Sequence, residues 1–147
     1  MEQFEILLVE DNRHDVAMIL EAFREQNTCD KFQVLHNGAE ALDYFFGPQG
    51  CLQRLGICHI RFVLLDLKLP KVDGLEVLKR LKSDERTREI PVIIFSSSNE
   101  ARDRKESYLL GANSYIVKPL DADHFSQVVA DIGSYWLTRN RTAYQDR

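Results

Sequence analysis

The stretch Arg61-Phe62-Val63-Leu64-Leu65-Asp66 opens on a cation, runs through four apolar residues and closes on an acid. Apolar residues at every position, rather than every second one, mark a strand covered on both faces. Upstream, Phe4-Glu5-Ile6-Leu7-Leu8-Val9 repeats the pattern and runs into Glu10-Asp11. Downstream, Ile90-Pro91-Val92-Ile93-Ile94-Phe95 closes on Ser96-Ser97-Ser98. Phe32-Gln33-Val34-Leu35 and Asn113-Ser114-Tyr115-Ile116-Val117 add two further strands, the second leading into Lys118-Pro119.

Helical patterns fill the intervals. Val16, Ile19, Leu20 and Phe23 fall at i, i+3, i+4, i+7 and form one face. Ala39, Leu42 and Phe46 mark a second helix, with Asn37 as its N-cap and Gly47-Pro48-Gln49-Gly50 as its end. Leu75, Val77, Leu78 and Leu81 outline a third. Residues 99–110 are highly charged and weakly amphipathic, which predicts an exposed helix of low stability. Phe125, Val128, Val129, Ile132 and Trp136 share a face of the last helix. Residues 47–60 have no clear period, and a structureless loop of that length is uncommon in a compact domain. A short extra helical turn, or an excursion serving a partner, is expected there. The polar tail from Leu137 to Arg147 is expected to fray.

Strands alternating with helices predict an α/β fold: a five-stranded parallel sheet with five helices on both faces. Right-handed crossovers leave few topologies, and the flavodoxin-like order 2-1-3-4-5 suits this size. The 147 residues make one domain, its core spanning about 4–136. The charge balance, 19 Lys+Arg against 23 Asp+Glu, argues against direct nucleic-acid binding or a membrane-surface role. Met1-Glu2-Gln3-Phe4-Glu5 has no basic region and no long apolar stretch behind it, so no signal peptide is expected. Cys29, Cys51 and Cys58, an odd count without CxxC spacing, suggest free thiols in a reducing, cytoplasmic compartment. His14, His36, His59 and His124 lack metal-ligand spacing.

In an open parallel sheet, chemistry sits beyond the carboxyl ends of the strands. Glu10 and Asp11 follow strand one, Asp66 ends strand three, Ser96 ends strand four and Lys118 follows strand five. Each alone reads as a solvated loop residue or a cap, but together they place three carboxylates, a hydroxyl and an ammonium on one rim. Two carboxylates about 5 Å apart repel by roughly 3 kcal/mol at an effective dielectric of ~20. Lys118 offsets part of that, and a hard cation such as Mg²⁺, which favours oxygen ligands, offsets the rest. A carboxylate in such a setting can attack a phosphoryl group and become an acyl phosphate.

Val9-Glu10-Asp11-Asn12, Leu64-Leu65-Asp66-Leu67-Lys68-Leu69-Pro70 with Asp73-Gly74, Phe95-Ser96-Ser97 and Tyr115-Ile116-Val117-Lys118-Pro119 together resemble the receiver domain of two-component response regulators. That resemblance implies a CheY-like signalling switch, not an enzyme acting on an outside substrate, phosphorylated by a sensor histidine kinase. It makes Asp66 the phosphoacceptor. It gives Mg²⁺ to Asp11, Glu10, Asp66 and the Lys68 backbone carbonyl, and phosphoryl oxygens to Ser96 and Lys118. Ser96 and Tyr115 would be a coupled switch pair, and Lys118-Pro119 a cis peptide. Glu10-Asp11-Asn12 with Asp15, the 47–60 segment, Ser96-Ser97-Ser98-Asn99-Glu100 and Ile132-Gly133-Ser134-Tyr135-Trp136-Leu137 resemble the small regulators that partner bacterial phytochromes. Those are often dimers, and Tyr135 and Trp136 suggest a homodimer or kinase-docking surface at the last helix. Two departures stand out: Lys68 where those relatives often carry Asn, and Ser96 where Thr is commoner. Two other readings remain: a phosphorylation-independent adaptor, and a small phosphatase with Asp66 as nucleophile. Against the phosphatase, Lys68 occupies the position of the usual second acid.

Overall fold

The computed structural model describes residues 5–26 and 31–143. Five strands form one parallel sheet in the order β2-β1-β3-β4-β5. They are β1 (Ile6–Val9), β2 (Phe32–Leu35), β3 (Phe62–Leu65), β4 (Val92–Ser96) and β5 (Ser114–Val117). Among the described residues there are six α-helices, α1 (Arg13–Glu25), α2 (Gly38–Phe46), α3 (Cys51–Leu55), α4 (Gly74–Ser83), α5 (Ala101–Leu109) and α6 (Ala122–Ser134), the last continuing into a π-helical turn, Tyr135–Arg139. The extra helical turn expected within 47–60 is α3. Phe4 and Cys29 lie outside the described residues.

The two-residue period of the strands divides the core. Leu7, Val9, Val63, Leu65, Val92 and Ile94 pack beneath α2, α3 and α4. Ile6, Leu8, Phe62, Leu64, Ile93 and Phe95 pack beneath α1 and α6. β1 is central in register, pairing Val9 with Leu35 on one side and with Leu65 on the other. Glu10 and Asp66, the next residues along, are thereby neighbours on the same rim.

Several sequence expectations need correction. The deepest face of α2 is Gly38, Ala41 and Phe45, one position away from the expected Ala39 and Phe46. Tyr44-Phe45-Phe46 offers three aromatics, and periodicity alone does not choose among them. Cys51 and Cys58 are disulfide-bonded, not free thiols, with Cα atoms 5.5 Å apart. The reason is local: Gly56, in the left-handed region at φ 76°, reverses the chain after α3 and returns Cys58 to the start of that helix. Leu137 is buried in the core rather than frayed. Here the helix widens, and Asn140 N–H donates to Tyr135 O at 2.8 Å. This five-residue step carries Leu137 onto the face of Ile132, which a 3.6-residue period does not anticipate.

At the opposite end of the sheet from Glu10, Lys82 ties three segments together. Its Nζ donates to Arg88 O at 2.8 Å, Ile90 O at 2.7 Å and Asn113 Oδ1 at 2.9 Å. Burial pushes its pKa down to about 8. Lys82→Met keeps the aliphatic stem and removes the shared donor, though Asn113 Oδ1 keeps Val92 N–H at 2.9 Å, so a loss of about 2 kcal/mol is expected in urea unfolding. The pH dependence has a definite sign. The folded pKa lies below the unfolded one, so the unfolded chain holds this proton more tightly. Wild-type stability from this group therefore rises above about pH 8 and is flat below it. The gap to Lys82→Met should widen between pH 7 and pH 9; a gap that narrows contradicts the assignment.

Candidate functional site

Four strand ends and the first turn of α1 build one pocket. Glu10 is fixed by its own neighbourhood: its N–H donates to Leu35 O at 3.0 Å and its Oε2 accepts from Asn12 N–H at 3.1 Å. Asn12 caps α1, its Oδ1 accepting from Asp15 N–H at 3.0 Å. Asp66 N–H donates to Val9 O at 3.1 Å, which locks the end of β3 to the end of β1. Lys118 N–H donates to Ser96 O at 2.7 Å and does the same for β5 and β4.

Glu10 and Asp66 are buried, whereas Asp11 is exposed. Oxygens of these three carboxylates lie within 4.8 Å of one another. The Lys118 ammonium reaches into the group, 2.5 Å from Glu10 Oε1, 2.9 Å from Asp15 Oδ2 and 3.3 Å from Asp66 Oδ2. Burial, and next the charge of Asp66, push the Glu10 carboxyl up to about 7 despite its bond to Lys118. For Lys118, burial acts to lower the pKa, but the bond to Glu10 and the charge of Asp66 outweigh it and hold the ammonium above its usual range.

Lone pairs and charge test the fit to a metal. One ammonium faces Glu10, Asp15 and Asp66, with Asp11 beside them. Negative charge is in excess, the donors are all oxygen, and Asp11 is open to solvent. That set fits a hard divalent cation.

Ser96, fully buried at the end of β4, has its Oγ accepting from Ser98 N–H at 3.2 Å. Tyr115 is half-buried on β5, and its hydroxyl donates to Ser98 O at 2.9 Å. The loop after β4 thus touches both members of the expected pair. Lys68 is exposed, its N–H 3.5 Å from Asp66 Oδ1. The Lys118–Pro119 peptide is trans, not cis. A prolyl amide favours trans by only about 0.5–1 kcal/mol, so the local chain path decides, and a dipeptide does not encode it.

Sequence reasoning placed Glu10, Asp11, Asp66, Ser96 and Lys118 on one rim, and the structure brings them there. It gave Asp15 no role in the pocket, although Asp15 bonds directly to Lys118. The available signal was position: Asp15 sits in the first turn of α1, directly after the rim acids.

Known proteins resemble this chain along most of its length. The chain is 41% identical over 139 residues to the "Probable methanogenesis regulatory protein FilR2" of Methanothrix harundinacea, covering 95% of this chain and 87% of that one. It is 33% identical to "Response regulator Rcp1" of Synechocystis, over 90% of this chain and 88% of that one. The Mn²⁺-bound structure of Rcp1 superposes with a TM-score of 0.83. The phosphorylated cyanobacterial phytochrome response regulator RcpA superposes with a TM-score of 0.86 at 34% identity, over 96% of this chain and 99% of that one. The model of the response regulator receiver domain matches residues 6–130, and this chain belongs to that family.

Proposed function

We propose that Asp66 accepts a phosphoryl group from a sensor histidine kinase in a Mg²⁺-dependent reaction, and that the adduct switches protein–protein contacts. The observation that carries this reading is a buried Asp66 carboxylate 3.3 Å from the Lys118 ammonium, grouped with Glu10 and Asp11 within 4.8 Å. One Asp66 oxygen bonds to phosphorus as the phosphorus–nitrogen bond of the kinase's phosphohistidine breaks and the imidazole leaves. Glu10, Asp11, Asp66 and the Lys68 carbonyl would hold the Mg²⁺. Bound there, the ion neutralises charge on the phosphoryl oxygens. Lys118 donates to one phosphoryl oxygen and the Ser96 hydroxyl to another. Drawing Ser96 toward the phosphate shifts the loop whose Ser98 carbonyl accepts from Tyr115, so Tyr115 reports the state of Asp66 on the surface of β5.

The likeness to RcpA, a cyanobacterial phytochrome response regulator, supports a phytochrome-type kinase as the cytoplasmic partner. Intact mass after incubation with a small phosphodonor tests the chemistry: one phosphoryl adduct with Mg²⁺ and none with a chelator is expected. An adduct indifferent to Mg²⁺ overturns the metal assignment.

The end of α6 is proposed as a homodimer contact. Tyr135 stands 52% exposed with its ring edge against Trp136, centroids 4.9 Å apart. Aromatics of this kind favour interfaces. Sedimentation velocity should show a concentration-dependent dimer; a monomer at every concentration, with and without beryllium fluoride, removes the proposal.

A further inference from the structure

We propose that Asp15 is a positioning residue for Lys118: it holds the ammonium on the α1 side of the pocket and sets how readily Lys118 is delivered to the phosphoryl group. The inference rests on the phosphoacceptor reading of Asp66 and deepens it.

An ammonium has three protons to donate. In the unphosphorylated site all three are taken, by Glu10 Oε1, Asp15 Oδ2 and Asp66 Oδ2, and the bond to Asp66 is the longest at 3.3 Å. A phosphoryl oxygen on Asp66 needs one of them. The three carboxylates do not compete on equal terms once the site is loaded. Glu10 and Asp66 belong to the group of oxygens suited to a cation, and Asp15 does not. A divalent ion therefore draws charge from Glu10 and Asp66 and weakens their claim on Lys118. Asp15 keeps its full charge, and its side chain is only 20% exposed. It is the residue against which the phosphoryl oxygens must compete.

The surroundings fit this role. Asp15 is carried on α1, whose Ile19 and Phe23 are fully buried, so the carboxylate has a rigid base. Its backbone N–H is engaged by the Asn12 cap, which leaves the side chain for Lys118. Beyond the pair, a cleft of about 240 Å³ opens between α1 and the start of α6, lined by His14, Met18, Ser97, Pro119 and Phe125. Asp15 and Lys118 both line that cleft.

The test is a fluorine-NMR titration of the Mg²⁺-loaded protein with beryllium fluoride, a phosphoryl mimic. Asp15→Asn keeps the shape and the backbone cap, and Asp15→Ser is a second uncharged variant in case the first folds poorly. Both are expected to bind the mimic about tenfold more tightly than wild type, because Lys118 is released. Their phosphoryl adducts should last longer by a similar factor. Asp15→Glu, which keeps the charge, should stay near wild type. Salt separates a direct bond from a long-range field. The gain should persist from about 0.05 M to about 0.5 M salt, since a partly buried pair is little screened. An unchanged or weakened affinity, or a gain that vanishes in high salt, overturns the inference. Failure of wild type itself to bind the mimic overturns the phosphoacceptor reading, and this one with it.

Discussion

Asp66→Asn should abolish the Mg²⁺-dependent phosphoryl adduct while leaving the fold at least as stable as wild type. The loss is chemical. A carboxylate oxygen is the attacking atom and an amide offers no equivalent nucleophile, so the rate should fall on the order of a thousandfold or more. The gain is electrostatic. The charge of Asp66 is one of the causes that raise the Glu10 carboxyl, and removing it relieves that repulsion. The bond lost is the longest of the three made by Lys118, at 3.3 Å. Mass spectrometry and thermal unfolding on the same sample read both halves. An adduct formed at the wild-type rate would identify another nucleophile. A sharply lowered melting temperature would show that the Lys118–Asp66 contact carries more of the fold than these distances imply.

Gly74→Ala should be strongly destabilising and should disturb the site directly. A Cβ at this position would lie 2.2 Å from Asp66 O, 2.7 Å from Leu67 Cα and 2.9 Å from Leu67 O. All three are backbone atoms, so no side chain can swing aside. Gly74 N–H also donates to Leu67 O at 2.9 Å, which joins the start of α4 to the residue after Asp66. Relief requires moving α4 away from the end of β3, and with it the Asp66 loop. Overpacking of this kind costs about 3 kcal/mol. For a domain of this size that is a fall of roughly 10 °C in melting temperature. Adduct formation should slow as well, because Asp66 shifts relative to Lys118. A melting temperature within about 2 °C of wild type would mean that the loop yields far more easily than its backbone contacts indicate.

The site was largely legible in the sequence because a parallel sheet converts order along the chain into place on a rim. Once β1, β3, β4 and β5 are recognised as strands, Glu10, Asp11, Asp66, Ser96 and Lys118 have nowhere else to be. Asp15 was harder. Whether a first-turn acid faces solvent or the pocket depends on the rotation of α1, which Ile19 and Phe23 fix by packing rather than by pattern. The Cys51–Cys58 link depends on a left-handed residue at Gly56, a geometry that the spacing of seven does not reveal. Leu137 was hidden for a related reason: the π-helical turn shifts the period just where a helical reading ends. For the disulfide and for Leu137, a single backbone dihedral or register step redirects a side chain, and composition carries no trace of it.

One feature of α5 sets the scale of any response. Ser107 is its only buried residue, and Tyr108 and Leu109 face solvent. The helix directly follows the Ser96–Ser98 loop, and Arg104 Nη1 holds its start by donating to Asn99 O at 2.8 Å. An element that buries so little apolar surface sits near the low end of local opening free energies, far below the global value. A chemical event at Asp66 need not outweigh the stability of the whole domain to be felt outside. It would have only to tilt the populations of this one lightly docked helix, and α1 on the opposite face is anchored by the fully buried Ile19 and Phe23. On the proposed function the domain would respond less as a body that changes shape than as a rigid frame with one loose shutter.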